Sequence, residues 1–226
     1  MNVLLFGATG MVGQGVLREC LLDPAVEQVR TVGRTATGTN HSKLREIVHR
    51  DMWHYKDIEA DLSGLDACFF CLGVSSAGMK EQDYGRITYD LTMAAAGTLC
   101  RLNPQMRFFY VSGAGTDSTE RGSSMWARVK GKTENALLRL PFAAAYMFRP
   151  GIIQPLHGVR PKAAVYRAFY IFFKPFLPLL RRAFPNHVLT TEEIGRAMLA
   201  VARHGYERPI LEVRDIRAVL QSASAR

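Results

Sequence analysis

Short apolar runs alternate with longer amphipathic stretches through the first two thirds of the chain. Val3–Phe6 is wholly apolar and predicts a buried strand. Met11–Leu22 predicts a helix halted by Asp23-Pro24. Gln28–Val32 and Leu44–His49 predict two further strands, and Ala67–Leu72 a fourth, apolar enough for burial on both faces. Gln82–Leu102 predicts a long helix stopped by Asn103-Pro104. Arg107–Val111 follows as a strand, Ser124–Leu140 as a helix ended by Pro141, and Ala144–Phe148 as a sixth strand. Strand–helix alternation of this kind predicts right-handed crossovers and a doubly wound α/β fold, a parallel sheet covered on both faces.

After Gly151 the pattern changes. Ile152–Pro161 carries loop punctuation. Thr190-Thr191-Glu192-Glu193 matches a capping box and predicts a helix to about His204, with Pro209–Val213 as a last strand. Ala163–Phe184 is aromatic and basic. It includes Arg167, Lys174, Arg181 and Arg182 and is broken by Pro175 and Pro178, so no uncharged run approaches the ~20 residues of a spanning helix. Two readings of it stand: a substrate lobe or dimer contact that buries its aromatic face, or a surface that lies on an anionic membrane or grips an amphipathic substrate.

At 226 residues the chain suits a single domain, with 151–226 adding a small substrate lobe. The formal charge of +9 is unevenly placed. Residues 1–120 hold 11 basic and 14 acidic side chains, against 18 and 6 in 121–226. A field of that sign attracts phosphates and other anions, but no nucleic-acid motif accompanies it and no nucleic-acid partner is expected. Four cysteines exclude a disulfide scaffold. Cys68 and Cys71 form a C-x-x-C inside an apolar run, where alternation sends them to opposite faces, so both read as packing. The six histidines show no metal spacing, and no metal site is expected. The opening residues lack a basic segment followed by a cleavage-like site, and the expected compartment is the cytoplasm.

Gly7-Ala8-Thr9-Gly10-Met11-Val12-Gly13 follows the first strand directly and opens the first helix. In that context one glycine permits the tight turn, another lets backbone approach a pyrophosphate, and the third lets helix pack on strand. The free amides of Met11, Val12 and Gly13 then face the anion. The end of the second strand reads Thr31-Val32-Gly33-Arg34-Thr35, with no Asp or Glu between Gln28 and Ser42. An acid there would bind a ribose 2′-hydroxyl. Arg34 instead suits a 2′-phosphate, so NADP is favoured over NAD.

With these residues the sequence resembles the atypical short-chain dehydrogenase/reductase group, in particular its small NAD(P)-binding, epimerase-like and NmrA-like members. Further matches are Cys71-Leu72-Gly73, Val111-Ser112-Gly113-Ala114-Gly115, Val129-Lys130-Gly131-Lys132-Thr133-Glu134 and Phe148-Arg149-Pro150-Gly151, together spanning about residues 1–213. The resemblance implies a Rossmann-type sheet of order 3-2-1-4-5-6 with a short seventh strand. It implies that Asp51 meets the adenine amino group and that Cys71, Leu72 and Gly73 form a backbone turn over the adenosine ribose and pyrophosphate. It also implies that Lys130 binds the nicotinamide ribose, that Pro150, Gly151 and Ile152 flank the carboxamide, and that Ser112 and Lys130 carry the catalytic role.

One departure stands out. The group's Tyr-x-x-x-Lys becomes Trp126-Ala127-Arg128-Val129-Lys130, and an indole neither titrates usefully nor accepts a proton. One of the usual paired hydroxyls becomes Gly113. Thr116, Tyr84, Tyr89 and Asp90 are substitute candidates without a spacing signature. The functional expectation is an NADP(H)-dependent oxidoreductase or epimerase-like enzyme on a small, unidentified substrate. The alternative is a catalytically weak NADP(H)-binding sensor or regulatory protein.

Overall fold

The computed structural model describes residues 1–159 and 187–224. The stretch Ala163–Phe184, read above as a lobe, dimer or membrane contact, lies outside the described residues.

Seven strands form one parallel sheet: β1 (Asn2–Phe6), β2 (Gln28–Gly33), β3 (Leu44–Val48), β4 (Ala67–Phe70), β5 (Arg107–Val111), β6 (Ala144–Arg149) and β9 (Ile210–Glu212). Their order is β3-β2-β1-β4-β5-β6-β9, and every neighbouring pair is parallel. This is the doubly wound α/β order the sequence implied, with the short seventh strand beside β6. The strand order reverses between β1 and β4, and such a switch point opens a crevice at the carboxyl ends of the strands.

Val3, Leu4, Leu5 and Phe6 of β1 are fully buried, because the sheet is covered on both sides. Alternate residues feed two cores. Val3, Leu5, Phe69 and Phe109 pack with α1 (Met11–Leu22), α5 (Thr191–His204) and α6 (Val213–Ser224). Leu4, Phe6, Cys68, Phe70, Phe108 and Tyr110 pack on the other face with α3 (Leu91–Leu102) and α4 (Met125–Leu138). Cys68 and Cys71 fall in opposite cores, and all four cysteines are free.

The helix ends follow local chemistry. The α1 helix stops at Asp23 before Pro24, and α3 at Asn103 before Pro104. The Asn103 side chain then donates to the Leu62 carbonyl (2.7 Å) and accepts from the Leu65 amide (3.0 Å), tying the helix end to the loop before β4. The α5 capping box is present in full: Glu193 N–H donates to Thr190 Oγ1 (3.0 Å) and Thr190 N–H to the Glu193 carboxylate (2.7 Å).

The long helix expected over Gln82–Leu102 is α2 (Glu81–Gly85) and α3 joined by a π-helical turn, Arg86–Asp90. Further elements have no counterpart in the sequence, which predicts a loop over Ile152–Pro161 and nothing after the last strand. A small parallel pair joins β7 (Ile152–Gln154) to β8 (Val188–Thr190), and α6 follows β9 directly. Val213, Ile216 and Val219 bury the inner stripe of α6. Among the described residues no helix is long and apolar enough to cross a membrane.

Candidate nucleotide site

The glycine loop is built by backbone contact. Gly7 has φ +77°, a left-handed conformation that favours glycine. A Cβ on it would lie 2.7 Å from the backbone of Cys71 and Leu72. A Cβ on Gly13 would lie only 2.0 Å from the Gly7 carbonyl oxygen, so the first turn of α1 sits directly on the end of β1. Gly10 N–H donates to Gly7 O (2.8 Å), closing the turn. Gly10 is also the N-cap of α1 and offers no side-chain acceptor, which leaves the first-turn amides open to an anion. Thr9 contributes its carbonyl to Gln14 Nε2 (3.1 Å), fixing the loop against the helix.

Beside this loop lies a cavity of about 400 Å³. Its floor is Gly7, Ala8, Thr9 and Leu72, and its far wall is the 31–37 segment with residues 46–48 of β3. Arg34 lines it, is exposed, and makes no ion pair or hydrogen bond among the described residues. Asp51 lies elsewhere. Its carboxylate accepts from Trp53 N–H (2.9 Å) and pairs with His54 (2.8 Å), and hydrogen bonding to His54 and Trp53 holds it below the usual range. The neighbouring Met52 reaches the cavity wall instead.

The other end of the crevice is a buried ionic cluster. Glu134 is fully buried on α4, and Arg149 at the end of β6 grips it. Arg149 Nε donates at 3.1 and 3.2 Å and a terminal nitrogen at 2.5 Å. The same guanidinium reaches Ser118 Oγ (2.6 Å) and Glu212 on β9 (3.1 Å). Ser112 Oγ donates to Glu134 (2.5 Å) and approaches the Phe148 carbonyl (3.2 Å), so its proton is committed inward. Thr116 is committed too, to the Gly113 carbonyl (2.7 Å).

Lys130 sits over the Tyr110 ring (5.1 Å to the centroid) and donates to the Val111 carbonyl (3.3 Å). Burial pushes its pKa down to about 8, against the opposing pull of Glu134. The Trp126 ring lies over the loop after β5, 3.6 Å from where a Cβ on Gly115 would be. Gly115 itself has φ +85°. Pro150 accepts from the Ala114 amide (2.8 Å). Gly151 passes so close to His187 that a Cβ would meet its carbonyl at 2.5 Å, and Ile152 N–H donates to that same carbonyl (2.8 Å). Tyr84 is buried, while Tyr89 lies under the Lys132 ammonium (4.5 Å) and lines, with Asp90, a separate outer cavity.

The structure therefore gathers the glycine loop, Leu72 and Arg34 around one cavity. Ser112, Lys130 and the Pro150–Ile152 turn stand at the ends of β5 and β6 and on α4. Sequence reading missed Glu46, which lines the cavity from β3, and the Glu134–Arg149 pair. Both partners of that pair stood in quoted motifs, and only the adjacency of β5, β6 and α4 brings them together.

The chain has the fold of the short-chain dehydrogenase/reductases and of the related epimerases and dehydratases. It superposes over its full length on a UDP-N-acetylglucosamine 4-epimerase from Methanobrevibacter ruminantium (TM-score 0.66, 14% identity, 82% of that chain). It does so equally on the dTDP-glucose 4,6-dehydratase DesIV from Streptomyces venezuelae, solved with NAD bound (0.66, 16%, 82%). A short-chain dehydrogenase/reductase from Burkholderia thailandensis matches at 0.66 and 13% over 97% of its length. No protein-family model matches the sequence.

By sequence the chain is similar to fungal proteins named FMP52, mitochondrial. That of Emericella nidulans is 29% identical over 176 residues, 74% of each chain. That of Meyerozyma guilliermondii is 25% identical over 215 residues, 89% of this chain and 85% of its own. These names overturn the cytoplasmic expectation. That expectation rested on a low cysteine count and on the lack of a secretory signal and of a spanning run, none of which says how a mitochondrial relative is addressed.

Proposed function

We propose that the chain binds a nicotinamide dinucleotide, NADP(H) in preference to NAD(H), and acts as an atypical oxidoreductase or epimerase-like enzyme on a small substrate, in a mitochondrial setting as its relatives' names suggest. The observation that carries this reading is the cradle at Gly7 and Gly13. Side chains there would collide with backbone, the helix amides beside them lack a cap, and a cavity of nucleoside size adjoins them. The glycine loop holds the pyrophosphate, Leu72 and the 31–37 segment hold the adenosine end, and Arg34 supplies charge for a 2′-phosphate. When bound, the cofactor supplies the hydride donor or acceptor. Lys130 holds the nicotinamide ribose, and the Pro150–Ile152 turn flanks the ring. Trp126 covers the reacting face without offering a titrating group, and Ser112 presents its oxygen as an acceptor because its proton serves Glu134. A second reading, a cofactor-binding sensor with weak catalysis, is favoured by Trp126 in particular.

Arg34→Ala is expected to weaken NADPH about ten-fold while leaving NADH within two-fold, from the loss of one charge-assisted phosphate contact at an exposed site. Fluorescence titration of both nucleotides reads this directly. Equal losses for both would remove the 2′-phosphate assignment.

Lys130 and Lys132 provide a paired control on one helix. Lys130→Ala should weaken dinucleotide binding, whereas Lys132→Ala should not, since Lys132 faces Tyr89 in the outer cavity. The Lys130 ammonium is present below about pH 8 and is lost above it. Affinity should therefore fall between pH 7 and 9, and Lys130→Arg, charged throughout, should flatten the profile. A profile unchanged by Lys130→Arg would place the titrating group elsewhere.

A further inference from the structure

The wall that Arg34 shares carries an acid. Glu46 of β3 stands opposite Thr31 of β2 in the sheet register, and both line the cavity. One Glu46 carboxylate oxygen accepts the Thr37 amide at 2.6 Å, which pins the far end of the Arg34–Thr37 segment to the sheet edge. No cation pairs with Glu46 among the described residues. Its chain neighbour Arg45 is turned to Asp61, and Arg34 makes no pair among the described residues. The cavity wall thus presents one unpaired cation and one unneutralised carboxylate to the same space.

We propose that Glu46 sets the limit of the cofactor preference. Its carboxylate anchors the segment that carries Arg34 and at the same time repels the 2′-phosphate that Arg34 attracts. Specificity between the two dinucleotides is a difference of affinities, and a repulsive element on the wall moves that difference as surely as an attractive one. Both dinucleotides carry the same pyrophosphate, so its repulsion cancels in their ratio, while the doubly charged 2′-phosphate adds a repulsion that only NADP(H) meets. The inference rests on the dinucleotide reading above and deepens it, since it places the chain as a dual-cofactor binder held back from strict NADP(H) selectivity.

Glu46→Gln separates the two roles. The amide oxygen still accepts the Thr37 N–H, so the segment stays anchored, but the charge is gone. Titrating purified wild-type and variant chains with NADPH and with NADH should show NADPH binding about five-fold tighter in the variant and NADH unchanged within two-fold. The gain should shrink as ionic strength rises toward 1 M, because the repulsion acts through a partly solvated cavity. An unchanged NADPH to NADH ratio, or an equal gain for both nucleotides, would overturn the role of Glu46. Binding of neither nucleotide to the unmodified chain would overturn the dinucleotide reading itself, and this inference with it.

Discussion

Arg149→Met is expected to destabilise the fold by about 3–5 kcal/mol, the range for removing one partner of a buried ion pair. The cause is the residue left behind. Glu134 is fully buried and receives three contacts from the guanidinium, with the Ser112 hydroxyl as the one further donor among the described residues. Without Arg149 the carboxylate keeps the desolvation penalty and loses the charge that compensates it. The same variant releases the side chains of Ser118 and Glu212, removing the side-chain ties from the end of β6 to β9 and to the 118 loop while the backbone pairing of β6 with β9 remains. Urea denaturation followed by circular dichroism measures the loss. Adding Glu134→Gln to Arg149→Met should recover a large part of it, because a neutral amide costs far less to bury. A single variant that loses under 1 kcal/mol would show that water or another cation already screens Glu134.

Trp126→Tyr is expected to raise carbonyl reduction by at least ten-fold. Hydride delivery to a ketone leaves an alkoxide that needs a proton at nearly the same moment, and a positioned acid contributes 10²–10⁴-fold. Indole supplies no such proton. A phenol in its place would stand one helical turn from the Lys130 ammonium, whose charge lowers a phenol pKa toward the working range. The Trp126 ring rests against the loop at Gly115, and phenol is smaller than indole, so the exchange introduces no clash and a cavity cost of about 1 kcal/mol. The commitment of Ser112 to Glu134 keeps the gain nearer the lower bound, since Ser112 cannot also donate to the carbonyl oxygen. NADPH oxidation against a panel of aldehydes and ketones tests this for both chains. Brisk turnover by the unmodified chain would contradict it and point to another donor.

The sheet was legible because its signals are local and repeated. The strands β1, β4, β5 and β6 are dominated by apolar residues, β2 and β3 mix polar residues in and signal more weakly, and the α1, α3, α4 and α5 ends lie at or near proline or capping residues. The π-helical turn at Arg86–Asp90 leaves no mark in apolar spacing, and the three-residue strands β7 and β8 are too short for periodicity to register. The α6 helix leaves a weak signal because its apolar stripe is short, Val213, Ile216 and Val219 with Leu220 beside them, and it follows the strand without a break. In the site, Gly7 to Gly13 could be read because backbone collision dictates glycine there. Glu46 could not be read by counting from the glycine loop, because it reaches the cavity through strand register. The Glu134–Arg149 pair depends likewise on which strands become neighbours, and spacing along the chain does not encode that.

The proposed binding mode lays a dinucleotide across the carboxyl ends of β1, β2, β4 and β5 with its pyrophosphate on the first turn of α1. Titration of Gly13→Val beside the unmodified chain tests it most directly, because a side chain at Gly13 meets the Gly7 carbonyl and fills the cradle. Gly97→Val serves as a folding control, since a Cβ there meets no neighbour within 4 Å. The unmodified chain and the Gly97 variant are expected to bind NADPH at micromolar concentration, and the Gly13 variant to lose at least a hundred-fold at a temperature where circular dichroism shows it folded. A folded Gly13 variant that binds NADPH as the unmodified chain does would contradict it.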